Sequence, residues 1–446
     1  MPINITIPHN FVPREYQLPA LAKMDGPNGL KRAVTVWHRR AGKEKTWINF
    51  MAAKSVDRIG TYFYLFPTYA QAKKVLWDGK DGSGFPFMGH FPKEYRKSQN
   101  ESELRLELIN GSAIQLIGTD NIDSVVGSNP IGCVFSEYAL QDPSVWDYIR
   151  PILRENGGWA VFDFTPRGKN HGYKLYEMAK DNPEWFAQIL TVEDTFKIDN
   201  GVRRRVITDE DIDAERREGM SEEMIQQEYY CSFEGIQVGS YYGRELKNAE
   251  ALGHYVRDLY DPSVQVETWW DIGVGDSTSI WFTQSVGHEV HVIDYLEASG
   301  EGIGYFAREL QKKPYIYKSH NGPEDLNVRE WGSAGRDMKP ITRLASARQL
   351  GINFNLVPDV GLEDGINAAR QFIARCWFDK VACARGLDAL QSYHKEWNDK
   401  MMCFKSTPRH DWSSHGADAF RYLAVGHKTN VVQKKRAQAP LLGWCA

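Results

Sequence analysis

The chain has 446 residues, 42% of them hydrophobic and 25% charged, with a formal net charge of −4. That length exceeds what one hydrophobic core ordinarily supports, so two domains are expected. The slightly acidic balance excludes a globally basic nucleic-acid binder, and any nucleic-acid contact has to use local grooves.

The cysteines (Cys133, Cys231, Cys376, Cys383, Cys403 and Cys445) are scattered, with no C-x-x-C pair and no zinc-finger spacing. That pattern fits free thiols in a reducing cytoplasm. No charged-then-apolar leader and no run of about 18 apolar residues is present, so a cytoplasmic protein without a membrane anchor is expected.

Near the start, Arg14, Glu15, Tyr16 and Gln17 lead into a short helical segment, 17–24 (QLPALAKM). The Gln17 amide donates and accepts at once, which suits the adenine edge; a surface helix is the alternative. Residues 33–37 (AVTVW) alternate as a buried strand, and 46–53 (TWINFMAA) carry apolar residues at helical spacing. Gly42 and Lys43 lie in the turn between them. Strand, Gly-Lys turn and helix form the context of a phosphate-binding loop, whose amides face phosphate oxygens while the lysine reaches the β/γ-phosphates. The candidate nucleotide-binding residues are Gln17, Arg39, Arg40, Ala41, Gly42, Lys43, Glu44, Lys45 and Thr46. The loop departs from G-x-x-x-x-G-K-[ST] at two places, with Trp37 for the first Gly and Glu44 for the hydroxyl residue.

Further along, 61–66 (TYFYLF) reads as a strand, and Asn110-Gly111 joins two alternating runs as a hairpin. Residues 131–135 (IGCVF) form an apolar strand capped by Ser136 and Glu137, the place for a carboxylate that activates an attacking water. Residues 159–164 (WAVFDF) end at Thr165, positioned to sense the γ-phosphate and couple hydrolysis to motion. Strands alternating with helices imply a mainly parallel sheet with ligands at its carboxyl ends, where Lys43, Glu137 and Thr165 all fall. Residues 207–230 are charged and helical, and 235–243 are glycine-rich.

A second domain opens with the strand 266–272 (VETWWDI), which carries Asp271, followed by strands at 279–283 and 288–295. Consecutive strands with the acid on the first are how an RNase H-like nuclease core begins. Asp325 follows a strand-like 315–318, and Asp418 lies at the entry to a helix at 419–425. Two divalent ions about 4 Å apart need carboxylates from distant parts of the chain, and hard Mg2+ or Mn2+ prefers such oxygen ligands. Asp271, Asp325 and Asp418 supply the set. Asp411, Asp276 and Asp294 are alternates, and His415 is either a supporting group or a helix-terminal polar residue. A zinc site from His410 and His415 lacks further partners. The tail 428–446 is basic, then apolar, and is expected to be flexible.

In order, HRRAGKE (38–44), FSEYA (135–139), FTPRGKNH (164–171) and SSHGADAFRYL (413–423) resemble the large terminase subunit of tailed bacteriophages, over nearly the whole chain. The resemblance implies an additional-strand P-loop ATPase domain (1–235), a linker (236–260), an RNase H-like nuclease domain (261–427) and a tail (428–446). It implies ATP hydrolysis that moves double-stranded DNA into a procapsid, and metal-dependent cutting of concatemeric DNA. Lys43 would bind phosphate, Glu137 would be the catalytic glutamate, Thr165 the coupling residue, Gln17 the adenine reader, and Asp271, Asp325 and Asp418 the nuclease acids. ATP and Mg2+ are the implied cofactors, with Mn2+ also suited to the nuclease. A portal protein, a procapsid, a small terminase subunit and a homo-oligomeric ring are the implied partners, in host cytoplasm.

Two departures matter. Ser136 stands where relatives carry the Walker B aspartate, and Glu44 where they carry Ser or Thr; Glu44 is the candidate to replace the lost metal ligand. Arg39, Arg40, Arg150 and Arg154 are candidate arginine fingers. The competing functions are a metal-dependent DNA nuclease with a degenerate, structural or regulatory nucleotide site, and a non-enzymatic assembly protein.

Overall fold

A computed structural model describes residues 6–120, 127–199, 201–234, 239–273, 277–327, 329–330, 341–398 and 403–427. Asp276, the tail 428–446 and part of the glycine-rich stretch lie outside the described residues. The chain divides into two compact units, Met1–Ser240 with His394–Trp412, and Tyr241–Tyr393 with Ser413–Ala446.

Among the described residues, the first unit builds an eight-stranded sheet from β1 (Arg32–Trp37), β2 (Thr61–Phe66), β3 (Arg96–Asn100), β4 (Arg105–Leu108), β5 (Ala113–Gly118), β6 (Pro130–Ser136), β7 (Trp159–Phe164) and β8 (Trp185–Leu190). Their order is β3-β4-β5-β2-β6-β7-β1-β8. Pairing is parallel from β5 through to β8, and only the β3 and β4 edge is antiparallel. The Asn110-Gly111 hairpin expected from the sequence joins β4 to β5. Strand β7 is inserted between the loop strand β1 and the acid-bearing strand β6, which is what makes the fold additional-strand.

Alternation along the central strands divides two cores. Ala33 and Trp37 of β1 face α2 (Lys43–Asp57), where Trp37 and Trp47 stack with centroids 6.0 Å apart. Val34 and Val36 face the opposite layer of α4 (Ser144–Glu155) and α5 (His171–Lys180). There Phe135 of β6 stacks on Phe162 of β7 at 4.6 Å. Helices cover both faces of the parallel sheet, so its strands read as almost continuous apolar runs. Charged residues 207–230 form α6 (Asp209–Arg217), with a Thr208–Asp211 capping box, and α7 (Glu222–Glu228), capped by Ser221.

The second unit orders its strands β11 (Tyr255–Val256), β19 (Cys376–Asp379), β14 (Glu289–Ser299), β13 (Ser277–Val286), β12 (Val266–Ile272), β15 (Tyr317–Pro323) and β18 (Phe354–Val357). The first three long strands, β12, β13 and β14, are antiparallel, and β15 returns parallel to β12. An antiparallel triplet extended by parallel strands is the RNase H-like arrangement expected above. Helices α11 (Leu362–Ile373), α12 (Ala384–Ser392) and α13 (Trp412–Gly426) cover one face, and α9 (Ile303–Lys312) covers the other. The stretch read as a linker contains α8 (Gly243–Ala251), whose Leu246 and Ala249 are buried in the α13 layer. Among the described residues, no helix is long and apolar enough to cross a membrane.

Candidate functional site

The loop between β1 and α2 closes on Gly42, whose φ of 82° is left-handed. A Cβ there would meet Gln17 Nε2 at 3.1 Å, so glycine is required by conformation and by space together. Helix α2 begins at Lys43, only 5% exposed, whose Nζ donates to Thr165 Oγ1 at 2.8 Å and to the Trp37 carbonyl at 3.3 Å. It also pairs with Glu137 Oε1 at 3.2 Å. Three strand ends expected to converge do so on one ammonium. Burial opposes that charge, but Glu137 and then Asp163 outweigh it and hold Lys43 above its ordinary range. Glu137 follows the end of β6 in the left-handed region, φ 52° and ψ 44°.

Beneath Lys43 the sheet presents a polar row. Thr35, Asp163 and Ser136 are register partners on β1, β7 and β6, and each is wholly buried. Thr35 Oγ1 lies 3.4 Å from Asp163 Oδ1, while Asp163 Oδ2, Ser136 Oγ and the Tyr64 hydroxyl have no hydrogen-bond partner among the described residues. Burial pushes the Asp163 carboxyl well above its ordinary range, with Lys43 opposing and Glu44 and Glu137 adding to the rise. Burial likewise raises Glu44, opposed by Lys43 and reinforced by Glu137. Three carboxyl groups thus share one ammonium. Asp163 was not singled out from the sequence; its signal was an acid inside the apolar run WAVFDF.

Other expected loop residues have local work. Gln17 is buried, accepts from the Arg14 backbone N–H at 2.9 Å and donates to the Ala41 carbonyl at 3.1 Å. Each end of its amide makes one bond to the backbone, which fixes its orientation and leaves one N–H and one lone pair unused by these contacts. Thr46 is buried and donates to the Gly42 carbonyl at 2.9 Å, bracing the loop from inside. Lys45 pairs with Asp81 at 2.7 Å. Arg39 and Arg40 are exposed, and the Arg39 backbone N–H donates to the Glu228 carbonyl at 2.8 Å. The Glu228 carboxylate, buried at the end of α7, is in turn paired with Arg167, two residues beyond Thr165. The β1–α2 loop and the segment after β7 therefore share Glu228 as an anchor, which no sequence spacing signalled.

In the second unit, Asp271 stands near the end of β12, with its Oδ2 3.5 Å from His415 Nδ1. Spacing on α13 puts His415 and Asp418 on one helix face. Asp418 pairs with Arg421 at 3.1 Å. Burial lifts the Asp418 carboxyl to about 6, with Arg421 opposing and Asp271 adding to the rise. Trp269 is in register with Asn321, so the short helix Glu324–Asn327 that carries Asp325 follows β15 at the same sheet end as Asp271. The Asp325 side chain is outside what is described. Asp294 is buried and bound by Lys313 and by the Tyr315 hydroxyl, so this alternate serves an internal ion pair. Asp411 lies 3.6 Å from Arg409 and clusters with the first unit. Among the described residues, no three His, Cys, Asp or Glu side chains already form a metal cage. The carboxyls of Asp271 and Asp418 nonetheless match the hard oxygen donors that Mg2+ and Mn2+ prefer.

Fold and sites together define a P-loop ATPase-type α/β unit joined to an RNase H-like α/β unit. The chain is 24% identical over 349 residues to the large terminase subunit of Escherichia phage T5, spanning 73% of this chain and 72% of that protein. The resemblance read from the motif order is thus met by an independent sequence likeness. No protein-family model matches the chain. Among solved structures, the large terminase of a thermophilic bacteriophage in complex with ADP aligns over 92% of this chain and 98% of its own, at 15% identity and a TM-score of 0.40. The ATPase domain of the Thermus phage P74-26 large terminase aligns over 51% of this chain and 100% of its own, at 20% identity and a TM-score of 0.40. The Mn-bound nuclease domain of the bacteriophage SPP1 large terminase aligns over 38% of this chain and 92% of its own, at 12% identity and a TM-score of 0.28. At that depth the structural likenesses assign no residue of this chain.

Proposed function

We propose that this chain is a viral DNA-packaging motor subunit that hydrolyses ATP to drive double-stranded DNA into a procapsid and cuts concatemeric DNA with a two-metal endonuclease. The observation that carries the reading is Lys43 Nζ held between Thr165 Oγ1 at 2.8 Å and Glu137 Oε1 at 3.2 Å, directly after the left-handed Gly42. A buried ammonium so placed is a phosphate site in its resting arrangement. Incoming phosphates compete for Lys43, which frees Glu137 to accept a proton from the attacking water and leaves Thr165 to report the γ-phosphate. Arg167 and Glu228 then carry that report towards α7. A divalent ion, Mg2+ in this reading, supplies charge neutralisation at the β- and γ-phosphates when bound. The alternative of a decayed nucleotide site is not favoured, since the lysine, the glutamate and the sensing threonine are mutually engaged.

For the nuclease, Asp271, Asp418 and Asp325 are the residues that would hold divalent ions, and His415, 3.5 Å from Asp271, would orient it. Residues 1–235 are the motor and 261–427 the nuclease, with the boundary in 236–260 and the tail at 428–446. The resemblance supports a portal, a small terminase subunit and a homo-oligomeric ring as partners, working in host cytoplasm. The test is ATPase and plasmid cleavage measured in parallel. Lys43→Ala is expected to abolish DNA-stimulated ATPase and spare cleavage with Mn2+; Asp271→Asn is expected to do the reverse. Cleavage without any ATPase in the wild type would overturn the motor reading.

A further inference from the structure

The proposed ATP site lacks the usual acid at Ser136, and the sheet offers a replacement one strand away. We infer that Asp163 is the carboxylate that holds the nucleotide's divalent ion, taking over from the adjacent strand the role that Ser136 cannot perform. This rests on the ATP-site reading above.

The argument is one of register. Strand β7 lies between β6 and β1, so Asp163 pairs laterally with Ser136 on one side and Thr35 on the other. Along β7, Val161 packs in the core facing α2, whereas Ala160, Phe162 and Phe164 pack in the opposite core. Alternation therefore aims Asp163 towards the base of the phosphate loop, level with the missing acid. It is nearer to the loop strand than Ser136 is. Asp163 Oδ2 and Ser136 Oγ are both wholly buried and without a hydrogen-bond partner among the described residues. Buried polar atoms are ordinarily satisfied, so two adjacent orphans mark a place for something bound.

Charge points the same way. Glu137 pairs with Lys43, and Glu44 and Asp163 lie near enough for their charges to act on it; when all are ionised the group carries three negative charges against one positive. A divalent cation cancels that excess. Mg2+ keeps waters and takes phosphate oxygens as ligands, so one or two protein carboxylates suffice and no complete protein cage is needed. Glu44, in the first turn of α2, would then add negative charge to the site, whereas Asp163 would provide the ligand.

The experiment is calorimetric binding of ATPγS to the full chain, with Mg2+ and with chelator, in the wild type, Asp163→Asn and the exchange variant Ser136→Asp/Asp163→Ser. The wild type is expected to bind more tightly with Mg2+. Asp163→Asn should lose at least about tenfold of that enhancement while its metal-free affinity stays within about twofold. The exchange variant, which moves the carboxylate back one strand, should regain the enhancement. An unchanged Mg2+ enhancement in Asp163→Asn overturns the assignment. Should Asp163→Asn fail to fold, Asp163→Ser decides: loss of the Mg2+ enhancement with metal-free binding intact supports the assignment, and an unchanged enhancement overturns it. Absence of ATPγS binding in the wild type under both conditions overturns the ATP-site reading itself, a different outcome from either.

Discussion

Lys43 is held by both Glu137 and Thr165, so removing one partner changes more than one property. Glu137→Gln keeps the shape but removes the ion pair and the proposed base. ATP turnover is expected to fall about 10²–10⁴-fold, with ATPγS affinity equal or tighter because Lys43 is released; steady-state kinetics and calorimetry separate the two. A fall in affinity matching the fall in turnover would show that Glu137 only positions the loop. Gly42→Ala places a Cβ at φ 82°, 3.1 Å from Gln17 Nε2. It is expected to lower stability by about 1–2 kcal/mol and to weaken nucleotide binding, read by chemical denaturation and titration. At this scale the sequence signalled Lys43, Gly42, Glu137 and Thr165 through their neighbours in the chain. It did not signal Asp163, Arg167 or Glu228, whose roles come from lateral strand register and an ion pair between distant segments.

At the scale of elements, α13 shows how a helix positions chemistry from its buried side. Trp281 Nε1 donates to the Gly416 carbonyl at 2.8 Å, and a Cβ on Gly416 would lie 2.7 Å from the Tyr295 hydroxyl. Gly416→Ala must push the helix off β13 and β14, carrying His415 and Asp418 away from Asp271. The expected result is a stability loss of about 1–3 kcal/mol and a larger proportional loss of plasmid cleavage, with ATPase unchanged. The strands themselves were legible, because buried parallel strands are apolar runs and the hairpin carries Asn-Gly. Helix α8 was not, since its short amphipathic turn follows glycines that read as a linker. It is a helix because Leu246 and Ala249 have a core to enter.

At the scale of the whole molecule, two buried histidines contribute to the response to acid. His38, wholly buried in the phosphate loop, has its imidazole pushed down to about 4, mainly by burial, from an ordinary value of 6.5. Burial likewise pushes His320 of the second unit down to about 4. An imidazole depressed on folding is neutral in both states above pH 6.5. Below that the unfolded chain takes up a proton the folded chain refuses, so stability is present at neutral pH and lost as pH falls towards 4. For His38 the loss approaches ~3 kcal/mol, and His38→Gln should flatten the dependence in denaturation curves between pH 6.5 and 4.

By itself the sequence determined the alternating strands and helices, the phosphate loop with its strand-end acid, the acid-bearing start of the second sheet and the family it resembles. These are local patterns, written in periodicity and in residues adjacent along the chain. Only the tertiary structure decided which groups share a charge environment. Asp163 stands beside Ser136 because β7 enters between β6 and β1, and His415 meets Asp271 because α13 folds back over β12. Strand order and helix docking are fixed by packing between remote segments, and that is where the chemistry of this chain departs from its motif.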